Sequence, residues 1–182
     1  MENEESLEKI KNIENDNRKA KFHNILFHIL AIVCISLFCV AISPKTLQND
    51  TYYTISIGEY IYNNGVSDLT QDIYSWHNLP YTYPHWLYDL MIFVIYNSFG
   101  HFGIYCSTMI FAAILGIVIY ALANKKSKNK LISFIVTIGA IYLIKDFIAA
   151  RAQLVTFVLF GLTVLFIEMF LETGKKDMLY HL

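Results

Sequence analysis

Charged residues are scarce in this chain of 182 residues: Asp, Glu, Lys and Arg make up 16% of it, whereas soluble domains average about 25%. Hydrophobic residues make up 55%, and the mean hydropathy is +0.43. So little charge cannot cover the surface of a soluble domain of this size. The composition therefore excludes a soluble domain and predicts an integral membrane protein.

A basic excess and a disulfide framework are also missing. The chain has 14 basic and 15 acidic residues, so there is no excess positive charge to neutralise nucleic-acid phosphates. The three cysteines, Cys34, Cys39 and Cys106, all lie in apolar runs, where a thiol behaves as a small hydrophobic group. We therefore expect no nucleic-acid partner and no disulfide scaffold, and the sequence has no cofactor fingerprint.

Four runs are long enough and sufficiently free of charge to cross a bilayer as helices. About 20 helical residues, at 1.5 Å each, cover a hydrocarbon core of about 30 Å. The division between the last two runs is placed at Lys145, Asp146 and Arg151, because charges are tolerated better at the interface than inside the membrane. We predict an all-α polytopic membrane protein with about four transmembrane helices, at 24–43, 102–123, 131–148 and 152–171.

The polar ends of the chain predict its orientation. Residues 1–22 are mixed in charge and are expected to form a short charged helix or to be disordered, in the cytoplasm. A cleaved signal peptide is not expected, because the leader is acidic and the apolar run is longer than about 7–15 residues. Basic clusters at 18–21, 125–130 and 175–176 fall on one side of a four-span protein. The membrane domain is predicted to cover 23–182 and to lie in the cell membrane. The positive-inside rule predicts that both termini are cytoplasmic.

The predicted external loop, residues 44–101, differs in composition from the spans. It holds all three prolines, both tryptophans, nine of the thirteen tyrosines, and five acids against one base. Loops of this length are usually functional or disordered, and the abundance of aromatic and β-branched residues argues against disorder. We therefore expect this loop to fold on the outer face of the bilayer and to carry the function.

Two interfacial helices are predicted in this loop. The first begins at Asn49 or Asp50, which are both suited to a helix N-cap, and ends at Gly65. Its predicted apolar face consists of Tyr53, Ile57, Tyr60 and Ile61. The second covers 86–99, because that apolar run is too short to span a membrane and has Asp89 near its start.

Several short motifs follow one another in and after this loop. They are Asp50; Gly58, Ile61 and Gly65; Asp72, Tyr74 and Ser75; Trp86, Leu87 and Asp89; Gly100 and Gly103; and Arg151-Ala152-Gln153. In this order they resemble the multi-pass GT-C-type glycosyltransferases that use polyprenyl-phosphate-linked sugars. The resemblance covers roughly residues 24–171, although Ala152 stands where the family-like step has proline. Such enzymes usually have many more spans, so the chain looks like their N-terminal part, as a fragment or a short gene product.

The resemblance implies transfer of a sugar from a polyprenyl-phosphate donor to an extracytoplasmic glycan, lipid or protein acceptor. It implies that Asp50 is a carboxylate of the active centre, which accepts a proton from the acceptor hydroxyl or holds the acceptor or a metal. Asp72 would then be a second contact to the acceptor or the metal. Arg151 and Lys145 are the candidates for binding the donor phosphate, since a guanidinium offers paired donors to it.

Each candidate also has a purely structural interpretation. Asp50 would be a helix N-cap, and Asp72 a turn residue that binds its own backbone. Lys145 and Arg151 would extend to the membrane interface, with Asp146 as a partner. In function, the alternative to an enzyme is a non-catalytic multi-pass scaffold or assembly partner.

The remaining polar residues of the loop give weaker indications. Asp89 and Glu59 are expected on the solvated faces of the interfacial helices. His77 and His85 have a spacing that matches no metal motif, so they predict no particular metal site. No cofactor is predicted with certainty, and a divalent metal is left open.

Overall fold

The computed structural model describes residues 2–66, 70–77 and 79–173. This part of the chain is all-α and has no β-strand; its one sheet-like pairing is an isolated bridge between Gln71 and Pro80. The helices are α1 (Glu2–Ile42), α2 (Asn49–Asn64), α3 (Trp86–Ser127), α4 (Lys130–Leu143) and α5 (Ala152–Thr173), with a short 3-10 helix at Lys145–Phe147. The predicted fold class is confirmed.

In the part of the chain that the structure describes, three helical segments are long and apolar enough to cross a membrane: Glu14–Ile42, Trp86–Ser127 and Ala152–Glu172. Helix α4 is equally apolar but has 14 residues, which gives it a length of about 21 Å. It joins the end of α3 to the segment that precedes α5, and it packs against both α1 and α3. The protein is thus a polytopic α-helical membrane protein with three to four membrane-crossing helices.

The outer surface of the bundle is apolar. In the most apolar stretches of α1 and α5, 17% and 11% of the residues are buried inside the protein. Large side chains such as Leu37, Leu143 and Phe160 are more than 60% exposed. Exposed apolar area on this scale is unfavourable in water and favourable in hydrocarbon. The surface therefore fits contact with a lipid bilayer.

The core of the bundle forms around α3, which packs against each of the other helices. Its central cluster joins α1, α3, α4 and α5 and is made of Ala31, Ile35, Cys39, Ala112, Leu115, Tyr120, Ile141, Ile148, Leu154 and Val158. Gly116 lets the helices approach closely, because a Cβ there would lie 2.7 Å from Ile35 and 3.0 Å from Ile141. Small residues commonly permit such contacts between membrane helices.

Helix α3 changes conformation at Gly100, whose φ of 62° and ψ of −153° are not helical. A positive φ strains residues other than glycine, so the glycine at this position allows the break. It separates residues 86–99, called here the α3 arm, from the rest of α3. The arm packs on α2 through Ile92 and Phe93, which share a buried cluster with Ile55. The separate helix predicted at 86–99 is therefore an arm that runs on into the following span.

The structure selects one predicted alternative and corrects one predicted boundary. Helix α1 begins at Glu2, so the polar N-terminal segment is helical up to the first span, which was one of the two alternatives. Helix α4 ends at Leu143 rather than near 148, because Ile144 leaves the helix and Lys145–Phe147 forms a 3-10 turn. The basic cluster at 175–176 lies outside the described residues.

The two ends of the bundle differ in structure. One end, called here the α2 end, carries α2, the segment 70–85 and the connection 144–151. The opposite end carries the turn from α3 to α4, where the Lys130 ammonium donates to the Asn24 side-chain oxygen at 3.1 Å. The predicted functional loop therefore lies at the α2 end.

Candidate functional site

A cleft of about 660 Å³ opens at the α2 end, between α2, the start of the α3 arm and the start of α5. Small-molecule sites generally have volumes of about 300–1,000 Å³. The cleft is lined by Asn49, Asp50, Tyr53, Thr54, Tyr81, Tyr83, Pro84, His85, Tyr88, Asp89, Arg151, Ala152, Gln153 and Thr156. The cleft therefore brings together the carboxylates of Asp50 and Asp89, which lie in the first turns of α2 and α3, with the Arg151 guanidinium and a set of tyrosines.

Asp50 and Arg151 form an ion pair in this cleft, with Oδ2 and Nη2 2.6 Å apart. Asp50 does not cap α2: the N-cap position is Gln48, which makes no side-chain capping bond. The two side chains are 68% and 44% exposed, and exposed ion pairs contribute at most about 1 kcal/mol to stability. The pair thus joins residues 101 positions apart while leaving both charged groups accessible from the cleft.

The backbone around Arg151 is held firmly. Ile148, Ala149 and Ala150 are all buried, and the Thr51 hydroxyl donates to the Ala150 carbonyl at 3.5 Å. The Arg151 carbonyl accepts from the amide of Leu154 at 3.1 Å, so Arg151 lies directly before the first turn of α5. The first amide groups of a helix lack partners within it and carry partial positive charge. The guanidinium and this helix start together create a region that attracts anions.

Asp89 also lines the cleft, and its predicted exposure is wrong. It is 8% exposed, and the Thr54 side chain lies beside its carboxylate. Helix α2 covers it because Gly58 packs against the Asp89 carbonyl oxygen, where a Cβ would collide. Glu59, for which the same exposure was predicted, is exposed. The glycine that allows this close approach is visible in the sequence, but its contact with Asp89 is not.

One wall of the cleft is rich in tyrosine. The rings of Tyr81 and Tyr83 meet edge to face at 4.8 Å. The Tyr83 hydroxyl is fixed by donating to the Gln71 carbonyl and by accepting from the Ile73 amide, each at 3.1 Å. Partial burial, followed by the nearby Tyr83 and Asp72, raises the pKa of Tyr53 to about 12. At neutral pH this wall therefore offers a protonated hydroxyl and aromatic surfaces.

Asp72 and Lys145 lie outside the lining of the cleft. Asp72 accepts a hydrogen bond from the Tyr74 amide at 3.1 Å, which is the turn geometry of its structural interpretation. The Lys145 ammonium lies 4.7 Å from the centre of the Tyr142 ring. The structure therefore brings Asp50 and Arg151 together and leaves the other two candidates apart, and the substrate-binding roles of those two stay predictions.

The histidines of the segment 70–85 do not form a metal centre with its acids. His77 packs on Trp76, with ring centres 3.9 Å apart, whereas His85 lines the cleft. Across the described residues, no group of three or more His, Cys, Asp and Glu side chains is placed to hold a metal ion. The cleft itself contributes carboxylates, tyrosine hydroxyls, one imidazole and one guanidinium.

An apolar groove of about 570 Å³ adjoins the cleft, between the α3 arm and α5. Its own lining consists of Trp86, Leu87, Met91 and Val155, and it shares Pro84, His85, Tyr88, Ala152 and Thr156 with the cleft. The shared residues make the two spaces continuous. The combined site therefore suits a molecule with a charged head and an apolar tail.

No known relative helps to interpret this site. No protein-family model, no curated protein and no solved structure matches the chain. Support for a function therefore lies in the residues of the cleft and the groove.

Proposed function

We propose that the protein is a membrane glycosyltransferase, or the N-terminal part of one, which transfers a sugar from a polyprenyl-phosphate donor to an extracytoplasmic acceptor. The observation that supports this proposal is the meeting of Asp50 and Arg151 in a cleft that continues into an apolar groove. Such a transfer needs a carboxylate at the acceptor hydroxyl and a cation at the departing phosphate. Asp50 and Arg151 would supply these two groups to a lipid-linked substrate that enters the cleft through the groove.

The donor would bind with its phosphate at Arg151 and its lipid chain in the groove beside Trp86 and Val155. A guanidinium forms strong, paired hydrogen bonds to phosphate oxygens. As the bond between the sugar and the phosphate breaks, negative charge grows on the phosphate, and Arg151 with the first turn of α5 stabilises it. The lipid chain reaches this position from the bilayer without crossing water.

The acceptor would bind beside Asp50. In the free protein the Asp50 carboxylate is paired with Arg151, and this exposed pair is weak enough to exchange. A donor phosphate that takes the place of Asp50 on Arg151 frees the carboxylate to accept a hydrogen bond from the acceptor hydroxyl. The wall formed by Tyr53, Tyr81 and Tyr83 then lies against the sugar.

The distribution of charge supports an outward position for the cleft. Lys125, Lys126 and Lys130 lie at the opposite end of the bundle, as does the basic segment 18–21 in the N-terminal half of α1. Positive residues collect on the cytoplasmic side of membrane proteins. We therefore propose a cell-membrane location, with the α2 end outside and both termini in the cytoplasm.

The test is the substitution Asp50→Asn in the native gene, followed by mass spectrometry of the cell-surface glycans. We expect a sugar to be missing from one glycan while the abundance of the protein stays normal. Glu59→Gln removes an exposed carboxylate from the same helix and should leave the glycans unchanged. Unchanged glycans in the Asp50→Asn strain would contradict the catalytic role and favour a non-catalytic scaffold.

A further inference from the structure

The carboxylate of Asp89 is buried and forms no ion pair with a described residue, and the His85 imidazole lies near it. Among the charged side chains that the structure describes, Asp89 is the buried one, and none of the ion pairs found among those residues includes it. Removing a carboxylate from water is unfavourable, and a well-packed apolar residue would stabilise such a position more. Packing alone thus gives no reason for an acid here, which points to a role in the cleft.

Its position relative to Asp50 is set by α2. Asp50, Thr54 and Gly58 follow one another at intervals of four residues on one face of this helix, and the Cβ atoms of Asp50 and Thr54 lie about 5–6 Å apart. The Thr54 side chain lies beside the Asp89 carboxylate, and Gly58 packs against the Asp89 backbone. Asp89 therefore lies about one helical turn from Asp50 along the same cleft, in a more enclosed place.

The carboxylates of Asp50 and Asp89 differ in the groups that contact them. One oxygen of Asp50 is bound by Arg151, whereas Asp89 lies beside the neutral Thr54 hydroxyl and has His85 at the N-cap position of its own helix. A carboxylate that is shielded from water and has no cation bound to it takes up a proton more readily than an exposed, ion-paired one. Of the two, Asp89 has the surroundings of a proton acceptor.

We propose that Asp89 is the group that accepts the proton of the acceptor hydroxyl, while Asp50 holds the acceptor and exchanges with the phosphate on Arg151. This inference rests on the proposed function. The acceptor O–H bond breaks and its proton goes to an Asp89 oxygen, while the acceptor oxygen forms a bond to the anomeric carbon. The bond from that carbon to the phosphate oxygen breaks, and its electron pair leaves with the lipid phosphate at Arg151.

The test uses Asp89→Asn in the native gene and in the purified protein. Asparagine keeps the shape of the side chain and a polar oxygen at the same position. We expect the glycan product to fall at least about hundredfold, as for the loss of a general base. Binding of undecaprenyl phosphate to the purified variant, followed by native mass spectrometry, should be unchanged, since the phosphate site at Arg151 is intact.

Further variants separate a chemical role from a structural one. Asp89→Glu retains a proton acceptor and should restore part of the glycan that Asp89→Asn loses, and Glu59→Gln should behave as the native protein. Native glycan levels in the Asp89→Asn strain would overturn the inference. Loss of lipid-phosphate binding by Asp89→Asn would also overturn it, because it would show that Asp89 maintains the cleft.

Deletion of the gene distinguishes this inference from the function on which it rests. If the deletion leaves all surface glycans unchanged, the proposed function fails and the role of Asp89 fails with it. If the deletion removes a glycan that the Asp89→Asn strain still makes, the function stands and only the role of Asp89 is wrong.

Discussion

The two ends of the bundle carry the same kind of interaction in different settings. At the opposite end, Lys125 pairs with Glu172 at 2.9 Å and Lys126 with Glu168 at 2.7 Å, and both pairs join α3 to α5. Neither pair lines the cleft or the groove. At the α2 end, the pair of Asp50 and Arg151 lines a cleft of about 660 Å³. The N–O distances of these ion pairs are similar, so they do not distinguish the two ends. The difference is that Asp50 and Arg151 face a cleft that can hold a ligand.

The helix dipoles sharpen this difference. Lys125 and Lys126 lie in the last turn of α3, where a cation interacts favourably with the carbonyl end of the helix. Arg151 lies at the start of α5, where the helix end is itself positive. Two positive features placed side by side favour an anion between them, which Asp50 supplies in the free protein and a donor phosphate would supply during the reaction.

The strongest test of this comparison exchanges the charges within each pair. Asp50→Arg combined with Arg151→Asp keeps an ion pair but places a carboxylate at the phosphate position. We expect the glycan product to fall at least about hundredfold, because the cation at the departing phosphate is lost. Lys126→Glu combined with Glu168→Lys should leave the glycans at the native level. Equal behaviour of the two exchanged pairs, at equal protein abundance, would contradict the distinction between the ends.

A second test concerns the packing that forms the cleft. Gly58→Ala forces a Cβ against the Asp89 carbonyl and to within 2.6 Å of the Phe93 Cβ. We expect a loss of about 1–3 kcal/mol in stability, as for other overpacked sites, measured by thermal unfolding in detergent. Gly139→Ala is the matched control, since nothing lies within 4 Å of that position, and alanine there should gain up to about 1 kcal/mol. Equal stabilities for the two variants would show that α2 is not packed closely on the α3 arm.

A smaller effect is expected where the cleft joins the groove. Ala152→Phe narrows this junction, and removing one or two methylene groups of the lipid chain from contact weakens binding by about 0.8 kcal/mol each. We expect affinity for undecaprenyl phosphate to fall about tenfold, and affinity for the short geranyl phosphate to change less. Leu159→Phe, on the exposed face of α5, serves as the control. An equal loss for both lipids would contradict a groove that holds the chain.

Much of the fold was predictable because membrane spans are local features of a sequence. Uncharged runs of about 20 residues predict spans without any knowledge of tertiary contacts, and the break near Lys145 follows from the charges there. The buried face of α2 was less predictable. Ile57 and Ile61 are buried as the periodicity indicates, but Tyr53 is 43% exposed. The face that packs on the α3 arm includes Gly58, because close approach there depends on the absence of a side chain.

The site was predictable in part. Asp50 and Arg151 were each identified alone, through the order of motifs, and only the folded chain shows that they meet. The sequence alone does not distinguish Asp72 and Lys145 from Asp50 and Arg151 as site residues. The folded chain shows that Asp72 contacts the Tyr74 amide and Lys145 the Tyr142 ring, both outside the cleft. The burial of Asp89 was missed for a related reason, since it depends on another helix covering it.

The most direct test of the central claim measures the binding of undecaprenyl phosphate to the purified protein in lipid nanodiscs by native mass spectrometry. The account predicts that the native protein binds this lipid and that Arg151→Ala binds it at least about tenfold more weakly, since charged hydrogen bonds contribute about 1.5–3 kcal/mol. Lys126→Ala, which removes a cation from the opposite end, should bind as the native protein does. Native affinity in Arg151→Ala, or an equal loss in Lys126→Ala, would contradict the assignment of the lipid phosphate to the α2 end.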